Sequence, residues 1–302
     1  MKQSMRETIN VKGRASLRGA AATTMVLLAL SGCSGGAGGG NWFSNLFSPP
    51  EDARPIEEFT AEEIFKRAEF DLENGDYEDA AKWYGEVERL FPYSELARRS
   101  VLMQAYAQHQ DTNYAAARVA AQRFVDFYPG DEDAAYATYL LALSYYDQIE
   151  EVGRDQGLTF QALQALRDVI ELYPNTEYAR SAVLKFDLAF NHLAAKEMEI
   201  GRYYLKRKHY ASATNRFRVV VEQFQTTTQV AEALHRLVEA YLSLGLVEEA
   251  QTAGAILGHN FQSTEWYDDS YKLLTGQGLE MKPKGNNWLA AIYRQTVKGE
   301  WL

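Results

Sequence analysis

Residues 74–92, NGDYEDAAKWYGEVERLFP, and residues 111–129, DTNYAAARVAAQRFVDFYP, share one pattern at an offset of 37 residues. Each has a tyrosine three positions before an alanine, a large apolar residue seven positions after that alanine, and an aromatic-proline pair at its end. A third copy, without the tyrosine, ends at Tyr173-Pro174, and two further copies lack the proline. The marker alanines of the five copies are Ala80, Ala117, Ala162, Ala213 and Ala250.

This spacing predicts a helical hairpin in each copy. Apolar residues at intervals of three, four and seven lie on one face of an α-helix, and an alanine lets a second helix cross closely. The proline ends the second helix because its ring clashes with the preceding turn. Gly75 and Gly245, each five residues before a marker alanine, suit a tight turn with positive φ. Thr60 and Glu63 have the spacing of a capping box that opens the first helix.

The hairpin pattern resembles the tetratricopeptide repeat, a helix–turn–helix unit of about 34 residues. We therefore predict an all-α solenoid of about five hairpins, and not a coiled coil or a four-helix bundle, which need dominant heptads or long uninterrupted helices. The marker alanines are 37, 45, 51 and 37 residues apart. The two longer intervals predict a surface insertion around 148–157 and a long helix over about 178–206 that links two sub-stacks.

The first 40 residues predict export and lipid attachment. Residues 1–18 carry five bases and one acid, and residues 19–30 are uncharged. An apolar stretch of this length is too short to span a bilayer but is typical of a secretory signal. It runs into Leu30-Ser31-Gly32-Cys33, which resembles the lipobox of bacterial lipoproteins. That resemblance implies cleavage before Cys33, acylation of its thiol with palmitate-type chains, and sorting to the outer membrane.

These features divide the chain into expected segments. They are a cleaved signal peptide (1–32), a lipidated flexible tether (33–55), repeats 1–3 (56–177), a long helix with repeats 4–5 (178–275) and a C-terminal extension (276–302). For the tail, an amphipathic helix that touches lipid or a partner and a poorly ordered end are both consistent with the sequence.

Composition narrows the function. The 302 residues have a net charge of −10 with ordinary hydrophobic and charged fractions of 46% and 24%. A chain this acidic disfavours a nucleic-acid-binding function, because its negative charge repels the phosphate backbone. One cysteine excludes an internal disulfide and a structural zinc site built from several cysteines. The five histidines are scattered, and no catalytic motif is present. We predict no enzyme activity, no cofactor and no metal site.

The order of these features resembles the BamD family, the tetratricopeptide lipoproteins of the bacterial β-barrel assembly machine. Segments 114–125, 173–178 and 195–216 carry the resemblance, which covers about residues 30–262. It implies a scaffold anchored on the periplasmic face of the outer membrane. Its C-terminal repeats would bind BamA and its N-terminal repeats unfolded outer-membrane β-barrel proteins, with other Bam lipoproteins as further candidate partners.

The same resemblance selects candidate site residues. Arg216, after Asn215, matches a family arginine that pairs with a carboxylate of BamA; otherwise it is a solvated helix arginine. Arg154 and Asp155 match a charged loop near the substrate groove; otherwise they form a surface pair worth at most about 1 kcal/mol. Four tyrosines are candidates for the groove or, alternatively, for the hairpin core: Tyr106, Tyr139, Tyr145 and Tyr146. The competing function is another periplasmic adaptor lipoprotein that recruits a protease or a peptidoglycan enzyme.

Overall fold

The computed structural model describes residues 55–285 and 287–298, with the side chains of 296–298 excluded. The predicted signal peptide, the lipobox Leu30-Ser31-Gly32-Cys33 and almost all of the tether lie outside this range. The described residues belong to one compact unit, 54–302.

A 3-10 turn at Ile56–Glu58 precedes the α-helices of the described residues. The helices are α1 (Ala61–Asn74), α2 (Tyr77–Leu90), α3 (Glu95–Gln110), α4 (Tyr114–Phe127), α5 (Ala134–Tyr146), α6 (Gly157–Leu172), α7 (Glu177–Lys206), α8 (Tyr210–Gln223), α9 (Val230–Leu244), α10 (Val247–Asn260), α11 (Glu265–Thr275) and α12 (Trp288–Lys298). From α1 to α11 each helix packs against the next, and the described residues contain no strand. The predicted solenoid of five hairpins is confirmed.

The marker alanines lie near the start of the second helix of each hairpin: α2, α4, α6, α8 and α10. All five are fully buried. Each of these helices ends at the residue before the aromatic that closes the pattern, whether or not a proline follows. The capping box of Thr60 and Glu63 is also confirmed. The repeat pattern therefore marks the hairpins as the sequence predicts.

A further repeated feature joins one hairpin to the next. Three residues after the closing aromatic, the hydroxyl of Ser94 donates to the carbonyl of Phe91 (2.9 Å) and accepts from the N–H of Ala97 (3.1 Å). Thr176 makes the same pair of bonds at the start of α7, and Thr264 does so at the start of α11. The hydroxyl thus ends one helix and caps the next, which fixes the step between repeats.

Four hairpin turns share one backbone geometry. The residue five positions before the marker alanine has positive φ: Gly75 (84°), Thr112 (60°), Lys208 (63°) and Gly245 (75°). The N–H of the following residue bonds in each case to a carbonyl five residues earlier, as in a Schellman motif. The sequence predicts this turn only where glycine occupies it, because residues with a Cβ rarely adopt positive φ.

We expect Thr112→Gly and Lys208→Gly each to raise the free energy of unfolding by about 1 kcal/mol, because glycine relieves the left-handed strain. Gly75→Ala should lower it by a similar amount, since nothing lies within 4 Å of the added Cβ and only the backbone is strained. Urea denaturation followed by circular dichroism measures the change. Ala211→Gly, at an exposed site inside α8, is the control and should destabilise; stabilisation there would show that glycine acts in some other way.

The third and fourth hairpins explain the two long intervals between marker alanines, of 45 and 51 residues. Residues 147–156 form the insertion between α5 and α6. The 30-residue helix α7, about 45 Å long at 1.5 Å per residue, packs against α5, α6 and α8 and so joins the third hairpin to the fourth.

The C-terminal extension folds back onto α10. The indole N–H of Trp288 donates to the hydroxyl of Tyr241 (3.2 Å), and Leu289 is fully buried. The hydroxyl of Thr252 on α10 donates to the carbonyl of Lys284 and accepts from its N–H, both at 3.0 Å. The tail is therefore a helix whose apolar face packs within this chain, an arrangement that the sequence does not reveal.

A buried histidine joins α9 to α11. His235 Nδ1 lies 2.9 Å from the hydroxyl of Ser270, and its ring packs on Trp266. Burial lowers the pKa of His235, and Arg236 adds to this, although Glu239, 3.7 Å from Nε2, opposes it.

Because the folded-state pKa of His235 lies below its ordinary value, its contribution to stability is complete above about pH 6.5 and is lost as the pH falls through that value towards the lowered pKa. We therefore expect the free energy of unfolding to decrease as the pH is lowered from about 7.5 to about 5, and to decrease less in His235→Gln. Denaturant titrations at both values test this. Equal decreases in the two proteins would show that other groups cause the change.

Candidate functional site

The predicted arginine lies on α8 and contacts α7. Arg216 Nη1 is 3.0 Å from Oε2 and 3.4 Å from Oε1 of Glu197 on α7. Both contacts use this one nitrogen, so Nε and Nη2 make no hydrogen bond within the described residues. The guanidinium is half-exposed, and Asn215 beside it is exposed. Arg216 is thus held by an internal carboxylate and keeps a free edge for a second one.

A shallow cavity of about 280 Å³ lies along this arginine. Its lining residues are Tyr204, Ser212, Asn215, Arg216 and Val219. An amide, a hydroxyl and a guanidinium can hold the backbone and a carboxylate of a bound segment, and a guanidinium binds a carboxylate with two parallel hydrogen bonds. We call this surface the α8 groove.

The insertion loop carries Arg154 and Asp155, which do not pair with each other. Arg154 Nη1 lies 3.4 Å from Oε2 of Glu150, and both side chains are exposed. Asp155 instead accepts from the backbone N–H of Gly157 (3.1 Å). The loop is held on α7, where Lys196 Nζ donates to the carbonyl of Gly153 (2.6 Å). These charges lie at the start of α6 and are open to solvent.

Two of the predicted tyrosines belong to a larger cluster on the first helices of neighbouring repeats. The ring centroid of Tyr178 on α7 lies 5.7 Å from that of Tyr139 and 5.3 Å from that of Tyr136, both on α5. Burial raises the pKa of Tyr136 to about 12, and Tyr106 on α3, Tyr178 and Tyr139 add to the shift. The sequence prediction missed Tyr136 and Tyr178, although Tyr136 precedes Tyr139 by one helical turn.

The other two tyrosines contact basic side chains of neighbouring helices. The Tyr145 ring is 4.5 Å from Cζ of Arg118 on α4. It lines a groove of about 720 Å³ that also exposes the apolar side chains of Val119 and Phe127. The Tyr146 ring lies 4.7 Å from Nζ of Lys185 on α7. Both residues also pack, with Tyr139 and Tyr178, against the buried cluster that includes Leu166 and Val169, which is the core role that the sequence left open.

Among residues 55–285 and 287–298, no helix combines the length and the apolarity that crossing a bilayer requires. The same residues contain no group of three or more His, Cys, Asp or Glu side chains placed to hold a metal ion.

Comparison with known proteins gives consistent matches. The family model described as YfiO, outer membrane lipoprotein, matches residues 57–256. The chain is 45% identical over 258 residues to the outer membrane protein assembly factor BamD of Caulobacter vibrioides, covering 85% of this chain and 81% of that relative. It is 42% identical over 203 residues to the protein of that name from Rickettsia prowazekii, and this match covers 67% of this chain and 81% of that relative. A BamD of Neisseria meningitidis serogroup A is 29% identical over 232 residues, and this match covers 74% of this chain and 87% of that relative.

Proposed function

This chain belongs to the BamD family of outer membrane protein assembly factors, and we propose that it acts there as a non-catalytic scaffold with two binding surfaces. It is an outer membrane lipoprotein with a role in outer membrane assembly. The α8 groove binds BamA, and the N-terminal hairpins bind unfolded outer-membrane β-barrel proteins.

One observation supports the BamA surface above all. Glu197 holds Arg216 through Nη1 alone, which leaves Nε and Nη2 free for a carboxylate of the partner. A guanidinium that is already oriented loses less rotamer entropy on binding. Asn215 supplies amide donors and an acceptor beside it. This combination suits a short acidic segment of a folded partner.

The surface for unfolded substrates rests on aromatic residues of repeats 2 and 3 and of the start of α7. The cluster of Tyr106, Tyr136, Tyr139 and Tyr178 presents phenol rings from α3, α5 and α7, the first helices of three successive hairpins. Such rings provide apolar area together with a hydroxyl that can bond to a peptide backbone. The Tyr145 groove, with Val119 and Phe127 exposed, is a second apolar surface in the same hairpins. Both suit an extended chain that has not yet folded.

Purification of the lipidated chain from detergent-solubilised outer membranes tests the scaffold proposal. We expect BamA to co-purify in near-equimolar amount. A peptidoglycan hydrolase or a protease in its place would instead support the other adaptor function.

We also propose that Cys33 carries the lipid anchor. Cys33→Ala should remove the protein from the outer-membrane fraction, because alanine has no thiol to carry the acyl chains that hold the protein on the bilayer. Fractionation followed by immunoblotting measures the distribution, and Ser34→Ala is the matched control. If the Cys33→Ala protein stays in the outer-membrane fraction, Cys33 does not carry the anchor.

A further inference from the structure

Charge is strongly segregated along this acidic chain. Residues 55–90, the first hairpin, contain twelve acids and four bases. Residues 196–223, from the end of α7 through α8, contain seven bases and three acids, and the extension 279–298 contains four bases and one acid. Positive charge therefore collects on the segment that carries the α8 groove and on the extension, although the whole chain carries −10.

Three of these bases are consecutive and unpaired. Lys206 ends α7, Arg207 and Lys208 begin the turn to α8, and all three are exposed. Their side chains make no ion pair or hydrogen bond within the described residues, whereas Arg202 nearby pairs with Glu232 at 2.9 Å. The Cζ atom of Arg207 lies 4.0 Å from the centroid of the Tyr203 ring, which orients its guanidinium without neutralising it. We call Lys206–Lys208 the basic turn.

The backbone of the basic turn has the geometry of the other hairpin turns. Lys208 has a φ of 63° and Thr112, at the equivalent position of the second hairpin, has 60°, whereas the first and fifth hairpins have Gly75 and Gly245 there. A lysine here therefore holds a conformation that glycine adopts without strain. The basic turn thus places a positively charged side chain at a position where glycine also fits.

We propose that the basic turn is the electrostatic docking surface for an acidic polypeptide segment that continues into the α8 groove. This inference rests on the proposed function and extends it, because the segment would belong to the periplasmic region of BamA. Tyr204 lies at the end of α7, beside the basic turn, and lines the groove. A bound segment can therefore contact the lysines first and then place a carboxylate on Arg216.

The local shape and charge favour a polypeptide over a membrane surface. A planar array of headgroups does not fill a concave groove lined by Asn215 and Val219. Membrane binding by basic clusters takes about four to eight lysines or arginines, whereas the basic turn contains three, and the other bases of residues 202–218 pair with Glu232, Glu197 and Glu222. An acidic peptide can fill the concave groove, and its carboxylates can pair with the three bases of the basic turn.

The test is a binding titration of the full lipidated chain in detergent with the soluble periplasmic region of BamA from the same organism. We expect Lys206→Gln/Arg207→Gln/Lys208→Gln to raise the Kd about tenfold at low salt, with the difference shrinking as added salt screens the charges. Lys208→Arg should bind normally. Lys208→Gly should bind more weakly while unfolding at a higher temperature, which separates docking from folding.

The alternatives have distinct outcomes. If the triple variant binds normally while Arg216→Ala binds weakly, the basic turn plays no part in docking, but the proposed BamA surface stands. If both variants bind normally, the proposed surface itself is wrong. If the triple variant binds BamA normally but no longer binds phosphatidylglycerol vesicles that the parent protein binds, the turn contacts lipid and the proposal is overturned.

Discussion

Arg216→Glu is expected to weaken binding to BamA at least about 100-fold, which corresponds to about 2.7 kcal/mol. The substitution removes the guanidinium edge that we propose for the partner. It also places a second carboxylate beside Glu197, whose Oε2 lies 3.0 Å from Arg216 Nη1 in the parent protein. The incoming carboxylate of BamA would meet two negative charges without a cation between them. Isothermal titration with the periplasmic region of BamA measures the change.

The control for this substitution is Glu197→Gln. It removes the internal charge but keeps an oxygen that can accept from Arg216, so binding should stay within a few-fold of the parent protein. Circular dichroism of each variant checks that the helices remain. An unchanged Kd for Arg216→Glu with intact helicity would exclude this arginine from the interface.

Ala213→Leu is expected to lower the free energy of unfolding by about 3 kcal/mol. Ala213 is fully buried near the start of α8, which packs against α7. The crossing is so close that a Cβ added at Gly201 on α7 would overlap the ring of Phe217 on α8. Three extra carbons at Ala213 must therefore push the two helices apart or force strained rotamers.

Ala211→Leu provides the comparison, because Ala211 is exposed in the same helix and has a similar backbone. That variant should change stability by less than about 0.5 kcal/mol. Urea denaturation gives both values. If the two leucines have equal effects, the recurring alanine is not the residue that sets the helix crossing.

The hairpins could be predicted from sequence because their determinants are local. A small residue at the crossing, an aromatic that closes the second helix and a proline after it all fall at fixed spacing, as Ala80, Phe91 and Pro92 illustrate. The turns at Thr112 and Lys208 could not be predicted, because neither residue type favours positive φ and tertiary packing imposes it. The packing of Trp288 against Tyr241 joins residues 47 positions apart and leaves no local pattern.

The candidate site could be predicted only in part, because its contacts also join residues that are distant in the chain. A helical position can be assigned to Arg216 from sequence, but its partner Glu197 is on the preceding helix, 19 residues away. Tyr145 and Tyr146 are adjacent in the chain, yet their rings contact different helices, α4 and α7. The side of a helix that a tyrosine faces depends on which neighbours pack around it, and this the sequence alone does not specify.

Photocrosslinking in cells tests the central claim, that this chain is a scaffold which holds BamA on α8. A photoreactive amino acid replaces Asn215 in the lipidated protein, and a second strain carries it at Tyr93, a fully exposed position between α2 and α3. We expect an adduct with BamA from position 215 and none from position 93. Adducts of equal yield at both positions, or an adduct of position 215 with a hydrolase and not with BamA, would contradict it.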